Sequence, residues 1–238
     1  MRQRLDQELV ARKLVASRSQ AESYIKLGQV QVNGQVVSKS GMQVGPGDKL
    51  VVTAETQYVS RAALKLASVA KEFGIDFSDK VVLDIGSSTG GFTQYALHRG
   101  ARKVIAVEVG TNQLHPTLHG DTRIELHEQT DFRKFQTDQA IDIFVADVSF
   151  ISLRDILPQA LRLGNKASQY AVMVKPQFEA GDTLKHKGVI KNDKIRRDIL
   201  KEFEVWVKQY FVIKQKADSK IAGSKGNVER FYILQKLS

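Results

Sequence analysis

The sequence predicts an α/β protein. A Rossmann-like, mostly parallel sheet is closed at one edge by an antiparallel hairpin, and a small α+β domain precedes it. Three observations carry this. Apolar runs at Val81–Ile85, Val104–Val107, Ile124–Leu126, Ile141–Val145 and Tyr170–Val174 are interleaved with helical patterns around Arg61–Phe73, Phe92–Arg99, Ser152–Leu163 and Asp193–Tyr210, as buried parallel strands are. Two last runs, Val212–Lys216 and Arg230–Gln235, have a loop and no helix between them, which makes them antiparallel. The segment before these has another character, with two short helices, strand-length pieces and tight turns. The expected division is residues 1–55 as the first domain, 56–59 as a connector and 60–238 as the α/β domain.

Composition narrows the chemistry. Of 238 residues, 42% are hydrophobic and 26% charged, ordinary for a soluble globular protein. There is no cysteine, so disulfides, thiolate metal sites, iron–sulfur clusters and a cysteine nucleophile are all excluded. The 36 Lys+Arg against 26 Asp+Glu give +10, a balance suited to a polyanion such as nucleic acid, since each neutralised phosphate releases counterions. No apolar run reaches the ~18–20 residues a membrane span needs. The N-terminus, Met1 to Lys13, is polar and carries acids, unlike a signal peptide. A cytoplasmic protein with no membrane partner is expected. His98, His115, His119, His127 and His186 show no metal-ligand spacing, so no metal is expected.

In the first domain, Arg4 to Lys13 reads as a helix with Leu5, Leu9 and Val10 on one face. Ser17 is the N-cap of a second helix from Arg18 to Leu27, stopped by Gly28. Strand pieces follow at Val30–Val32, Val36–Val37 and Lys49–Val52. Asn33-Gly34 between apolar residues is a strong hairpin signal, and Gly45-Pro46-Gly47-Asp48 is a second turn. This segment resembles the RNA-binding module first known from ribosomal protein S4, through Arg4-Leu5-Asp6, Ser17 to Ala21, Ile25 to Val30, Val32-Asn33-Gly34 and Pro46-Gly47-Asp48. The resemblance implies an RNA face of basic and polar side chains: Arg4, Arg12, Ser17, Arg18, Lys26, Asn33 and Lys39.

The most specific local motif is Asp84-Ile85-Gly86-Ser87-Ser88-Thr89-Gly90-Gly91-Phe92. A strand, a glycine turn and a helix start cradle a nucleotide cofactor, because glycine admits close approach and the helix N–H groups face it. The spacing is D-x-G-x-x-x-G-G rather than G-x-G-x-x-G. That argues against a pyrophosphate-binding dehydrogenase and towards S-adenosylmethionine, and no P-loop is present. Glu108, ending the next strand, falls near the ~20-residue interval at which a carboxylate takes both ribose hydroxyls. Asp131, after the third strand, either accepts from the adenine amino group or caps its loop. A parallel sheet with this turn and a closing hairpin is the class I methyltransferase architecture.

Exclusion then points to the acceptor atom. Methylation at pyrimidine C5 uses a cysteine and radical methylation an iron–sulfur cluster. Amine methylation uses a proline-bearing turn where this chain has Asp147-Val148-Ser149-Phe150. Oxygen is left. A sugar hydroxyl is a poor nucleophile and needs a base; a lysine can serve where burial or neighbouring cations favour the neutral amine. Four candidates hold fitting places: Lys65 on the helix before the first strand, Asp147 and Lys175 at the ends of the fourth and fifth, and Glu229 at the start of the last. Parallel strands bring their C-terminal ends to the edge that carries the cofactor turn.

This set resembles that of the FtsJ/RrmJ-type ribose 2′-O-methyltransferases, and with the first domain the chain resembles the TlyA family, also called haemolysin A. The residues are Tyr58 to Leu66, Asp84 to Thr93, Ala106 to Leu114, Asp147 to Leu153, Val174 to Gly181 and Gly226 to Glu229. The resemblance implies S-adenosylmethionine-dependent cytidine 2′-O-methylation of ribosomal RNA, in 16S RNA, 23S RNA or both, with ribosomal RNA or subunits as partner. It makes Lys175 the base, Lys65 and Asp147 its tuning and positioning groups, and Glu229 the holder of the acceptor or of Lys65. Asp147 also borders the cofactor.

Three features depart from the family pattern: Glu108 and Asp131, where Asp and Asn are commoner, and a connector with Thr56 and Tyr58 in place of Arg and Trp. The basic stretch Lys185-His186-Lys187 to Lys191, followed by Lys194, Arg196, Arg197 and Lys201, reads either as a clamp on RNA phosphates or as a solvated face. The haemolysin name implies a membrane-active protein, but no long helix pairs a strong apolar face with a basic one.

Overall fold

The protein is described by a computed structural model over residues 2–54, 58–181, 188–223 and 225–237. Thr56 of the connector and Lys185 to Lys187 of the basic stretch lie outside the described residues.

The first unit contains β1 (Gln3–Arg4), α1 (Leu5–Ala11), α2 (Arg18–Lys26), β2 (Val30–Val32), β3 (Gln35–Val36), β4 (Gln43–Val44) and β5 (Leu50–Val52). Antiparallel β3-β2-β5 form one small sheet, and β1 pairs with β4. The first helix starts at Leu5 because Arg4 pairs with Gln43 in β1–β4. Ser17 caps α2 by accepting from Gln20 N at 3.2 Å, one of the orphan donors of a helix start. Asn33 and Gly34 have φ of +52° and +82°, as the tight turn between β2 and β3 requires. Leu5, Leu9, Tyr24, Ile25 and Val30 make the core, which Leu64 and Ile221 of the second unit enter.

The second unit runs α3 (Arg61–Ala70), β6 (Val81–Ile85), α4 (Gly91–His98), β7 (Lys103–Val107), β8 (Ile124–His127), β9 (Ile143–Ala146), α5 (Leu153–Leu163), β10 (Gln169–Val174), α6 (Pro176–Glu179), α7 (Asp193–Val207), β11 (Phe211–Asp218) and β12 (Arg230–Lys236). Its seven strands are ordered β11-β12-β10-β9-β6-β7-β8. The run from β8 to β10 is parallel, and β12 is antiparallel to both its neighbours.

Side chains alternate across this sheet. Leu83, Ile105, Phe144 and Val172 pack with α5 and α7, while Val82, Val104, Val145 and Met173 pack with α3 and α4. All of β6 is buried, so its sequence reads as a continuous apolar run broken only by Asp84. The strand order reverses direction between β6 and β9, and such a switch point opens a crevice at the C-terminal strand ends. There Asp147 N donates to Ile85 O at 3.2 Å.

Candidate active site

The turn after β6 is shaped by its glycines. Gly86 has φ +75°, and a Cβ on it would sit 3.2 Å from Val148 Cγ1, so the Asp147 loop can lie against the turn only because Gly86 has none. A Cβ on Gly91 would collide with Ser60 Oγ at the start of α3. Asp84 is buried, accepts from Thr93 Oγ1 at 2.7 Å through Oδ2, and has no partner for Oδ1. Burial raises its carboxyl to about 7; Thr93 opposes this, and the charges of Asp147 and Glu108 add to it. Ser87 Oγ is likewise buried without a partner.

Glu108 is buried and held by two backbone donors, Ser88 N to Oε2 at 2.9 Å and Gly110 N to Oε1 at 2.8 Å. A carboxylate oxygen has two lone-pair sites, so each can still accept from a hydroxyl. Asp131 caps a one-turn 3₁₀ helix at Phe132–Lys134, accepts from Arg133 N at 3.0 Å and pairs with the Arg133 guanidinium at 2.6 Å. Hydrogen bonding from Arg133 holds its carboxyl below the ordinary range. It is a loop cap, and it also lines a cavity of about 510 Å³ together with Gly86, Ser88, Glu108 and Phe132. An adjoining cavity of about 260 Å³ is lined by Lys65, Asp84, Ser87, Thr89, Phe92 and Lys175. Gly86, Ser88, Asp147 and Ser149 line both.

The four candidate catalytic groups form two ion pairs. Lys175, at the N-cap of α6, has Nζ 2.6 Å from Asp147 Oδ1. Lys65, on α3, has Nζ 2.5 Å from Glu229 Oε2, and both side chains are buried. Burial raises the Glu229 carboxyl above its ordinary value; Lys65 opposes that most, Asp147 raises it further and Lys175 lowers it. The charges of both pairs are therefore felt at one carboxylate.

Three residues were not singled out by the sequence. Ser149 Oγ accepts from Lys175 Nζ at 2.8 Å. Phe150 is 91% exposed with φ +64°, its ring centroid 5.1 Å from that of Phe178, and Phe178 lies beneath Lys175 Nζ at 5.9 Å. Glu179 is buried at the base of the same loops, accepting from Ser152 Oγ and Leu153 N. All three sit inside the family motifs, but which loop faces which is a tertiary fact no spacing encodes.

The RNA-face candidates divide. Arg4 and Arg18 both bind buried Asp6, at 2.9 and 3.0 Å. Burial alone would raise the Asp6 carboxyl, but hydrogen bonds from the two arginines outweigh it and hold it low. Arg12 reaches the carbonyls of Asp48 and Gly45 at 2.7 and 3.0 Å and pairs with Glu8. Asn33 bonds Asp48 and Lys49 N across the turn. Lys26 and Lys39 are exposed. Thus Arg12, Ser17 and Asn33 hold the fold of this unit. Among the described residues, no group of three or more His, Cys, Asp or Glu could hold a metal ion.

The chain is similar to known proteins. A model of the FtsJ-like methyltransferases matches residues 58–236, and a model of the S4 domain matches residues 3–50. The 23S rRNA (cytidine-2′-O)-methyltransferase TlyA of Campylobacter jejuni is 38% identical, over 94% of this chain and 96% of that protein. The 16S/23S rRNA (cytidine-2′-O)-methyltransferase TlyA of Mycobacterium tuberculosis is 40% identical, over 76% of this chain and 69% of that one. A solved Streptococcus thermophilus protein described as a hemolysin superposes with a TM-score of 0.73 at 34% identity, covering 100% of this chain and 89% of that chain. An S4 domain joined to a glycine-turn sheet of this order, with relatives matched along most of their length, places the chain in the TlyA family of FtsJ-like methyltransferases.

Proposed function

We propose that this protein is a cytoplasmic ribosomal RNA (cytidine-2′-O)-methyltransferase that uses S-adenosylmethionine and acts on 16S RNA, 23S RNA or both. Residues 1–55 bind the RNA, residues 56–59 connect, and residues 60–238 carry the reaction. The observation that carries this is the Lys175–Asp147 pair beside the Lys65–Glu229 pair, on the wall of a cleft continuous with the glycine turn.

The cleft fits the cofactor. Glu108 keeps free lone pairs for the ribose hydroxyls, and the cavity walled by Asp131 and Phe132 takes the adenine. Unpartnered Asp84 Oδ1 and Ser87 Oγ await polar groups of the methionine end. S-adenosylmethionine, when bound, supplies a methyl group on a positively charged sulfur. Lys175, when neutral, would take the proton of the ribose 2′-hydroxyl as that oxygen accepts the methyl group. The Lys175 ammonium so formed stands against Asp147 and passes its proton to water. Lys65 supports this arrangement from its pair with Glu229, which keeps two buried charges compensated. Phe150, against the Phe178 ring that lies under Lys175 Nζ, offers an exposed ring on which an unstacked base can lie.

The test is nucleoside mass spectrometry. Unmodified 30S and 50S subunits are incubated with the protein and S-adenosylmethionine, and the RNA is digested. A gain of 2′-O-methylcytidine is expected. A methylated base would overturn the acceptor assignment, and no incorporation into either subunit would overturn the ribosomal substrate.

A further inference from the structure

We infer that Ser149 is a positioning residue for the catalytic lysine, resting on the reading of Lys175 as the base. A neutral amine has two N–H bonds and one lone pair, and only the lone pair can take a proton. Which way it points is decided by where the two N–H groups are held. A carboxylate alone holds an amine loosely, because its two oxygens offer several equivalent lone-pair sites and the amine can turn between them. Lys175 Nζ has two different anchors, Asp147 Oδ1 at 2.6 Å and Ser149 Oγ at 2.8 Å. Ser149 Oγ fixes an N–H direction by a hydrogen bond, while Asp147 Oδ1 holds the nitrogen by charge without one, and together they keep the lone pair toward the cavity of about 260 Å³ that Lys175, Asp147 and Ser149 line.

The chain around Ser149 is built to keep this anchor in place. Asp147 N is bonded to Ile85 O at 3.2 Å, and Gly86 admits Val148 against the cofactor turn. Phe150 then takes φ +64°, a costly conformation for a bulky residue, and Ser152 is fastened to Glu179 at 2.6 Å. Ser149 itself is exposed and has no positive φ, so its side chain can be changed without disturbing the core. Serine at this place therefore acts through Lys175 and not through packing.

The experiment compares Ser149→Ala, Ser149→Thr and Lys175→Ala with the unmodified full chain. It measures transfer of labelled methyl from S-adenosylmethionine to unmodified ribosomal subunits, and cofactor affinity by calorimetry. Ser149→Ala is expected to lower kcat by about tenfold or more, the scale on which small misplacements of reacting groups act. KM for RNA, cofactor Kd and Tm should be unchanged. Ser149→Thr, which restores the hydroxyl, should return kcat to within about threefold of the starting value. Unchanged kcat in Ser149→Ala, or no recovery in Ser149→Thr, would overturn the inference while leaving Lys175 as base. Retained transfer by Lys175→Ala would instead remove the reading on which it rests.

Discussion

Glu179 closes the N-terminus of α5: its Oε1 accepts the backbone N–H of Leu153 at 2.7 Å, and its Oε2 the Ser152 hydroxyl at 2.6 Å. Helix starts leave their first N–H groups without intrahelical partners, and here the partner comes from the loop after the neighbouring strand. The Asp147 loop and the Lys175 loop are thus fastened at one end by the Lys175–Asp147 ion pair and at the other by a buried carboxyl.

Removing that carboxyl should loosen both loops. Glu179→Ala leaves a buried N–H unsatisfied, at a cost of ~1–3 kcal/mol, and should lower Tm by about 2–4 °C for each kcal/mol in a chain of this size. Methyl transfer should fall with it. Burial raises the Glu179 carboxyl above its ordinary value, so neutral Glu179→Gln should lose less on both counts. Thermal unfolding and a methyl-transfer assay on the two variants check the order.

Asp84 makes the cofactor-free protein sensitive to pH near neutrality. Its folded-state carboxyl is raised from 3.8 to about 7, so between those values the unfolded chain has lost its proton and the folded chain has kept it. Stability should fall as pH rises through that window and level off above it. A cationic group of the cofactor prefers the ionised form, so S-adenosylmethionine affinity should rise from about pH 6 to about pH 8. Calorimetric titration should show this slope in the original protein and its absence in Asp84→Asn.

The Lys65–Glu229 pair separates stability from activity. Glu229→Ala leaves the Lys65 ammonium buried without its partner and should cost ~3–5 kcal/mol. The double variant Lys65→Met/Glu229→Leu should regain most of that stability, since apolar replacements of buried pairs are often neutral, yet stay inactive. Denaturant unfolding beside the transfer assay measures both. Recovery of activity in the double variant would remove the pair from the chemistry.

On the first domain, Lys26→Ala and Lys39→Ala should each weaken RNA binding and reduce the slope of log affinity against log salt by about one for each phosphate no longer neutralised. Arg12→Ala should act differently, because its guanidinium holds the carbonyls of Gly45 and Asp48. Its main effect should be a lower unfolding temperature. Filter binding at several salt concentrations, with a melting curve for each variant, tells the two classes apart.

What could be read from the sequence followed the strength of local periodicity. β6 lies at Val81–Ile85 as expected, because a buried central strand is an unbroken apolar run. β1 and β4 have two residues each, too few for any alternation to register, and their pairing moved the start of α1 to Leu5. The helical pattern to Phe73 outran α3, which ends at Ala70, since Phe73 is buried in the turn that follows. The Lys175–Asp147 pair joins residues that the sheet order brings to one edge. Ser149 and Glu179 were not legible, because their partners lie across a loop-to-loop contact. Of the two roles foreseen for Asp131, the structure shows the loop cap, and the residue also lines the cavity.

The loop between β11 and β12 begins near Ile221, which is seated in the core of the first unit, and ends at Glu229 beside Lys65. The first unit is therefore not a cassette. A chimera carrying a foreign first unit would leave Ile221 without its socket, and Glu229, at the other end of the same loop, would lose that anchor. Any change to the surface of the first unit has to keep the residues around Ile221 as they are.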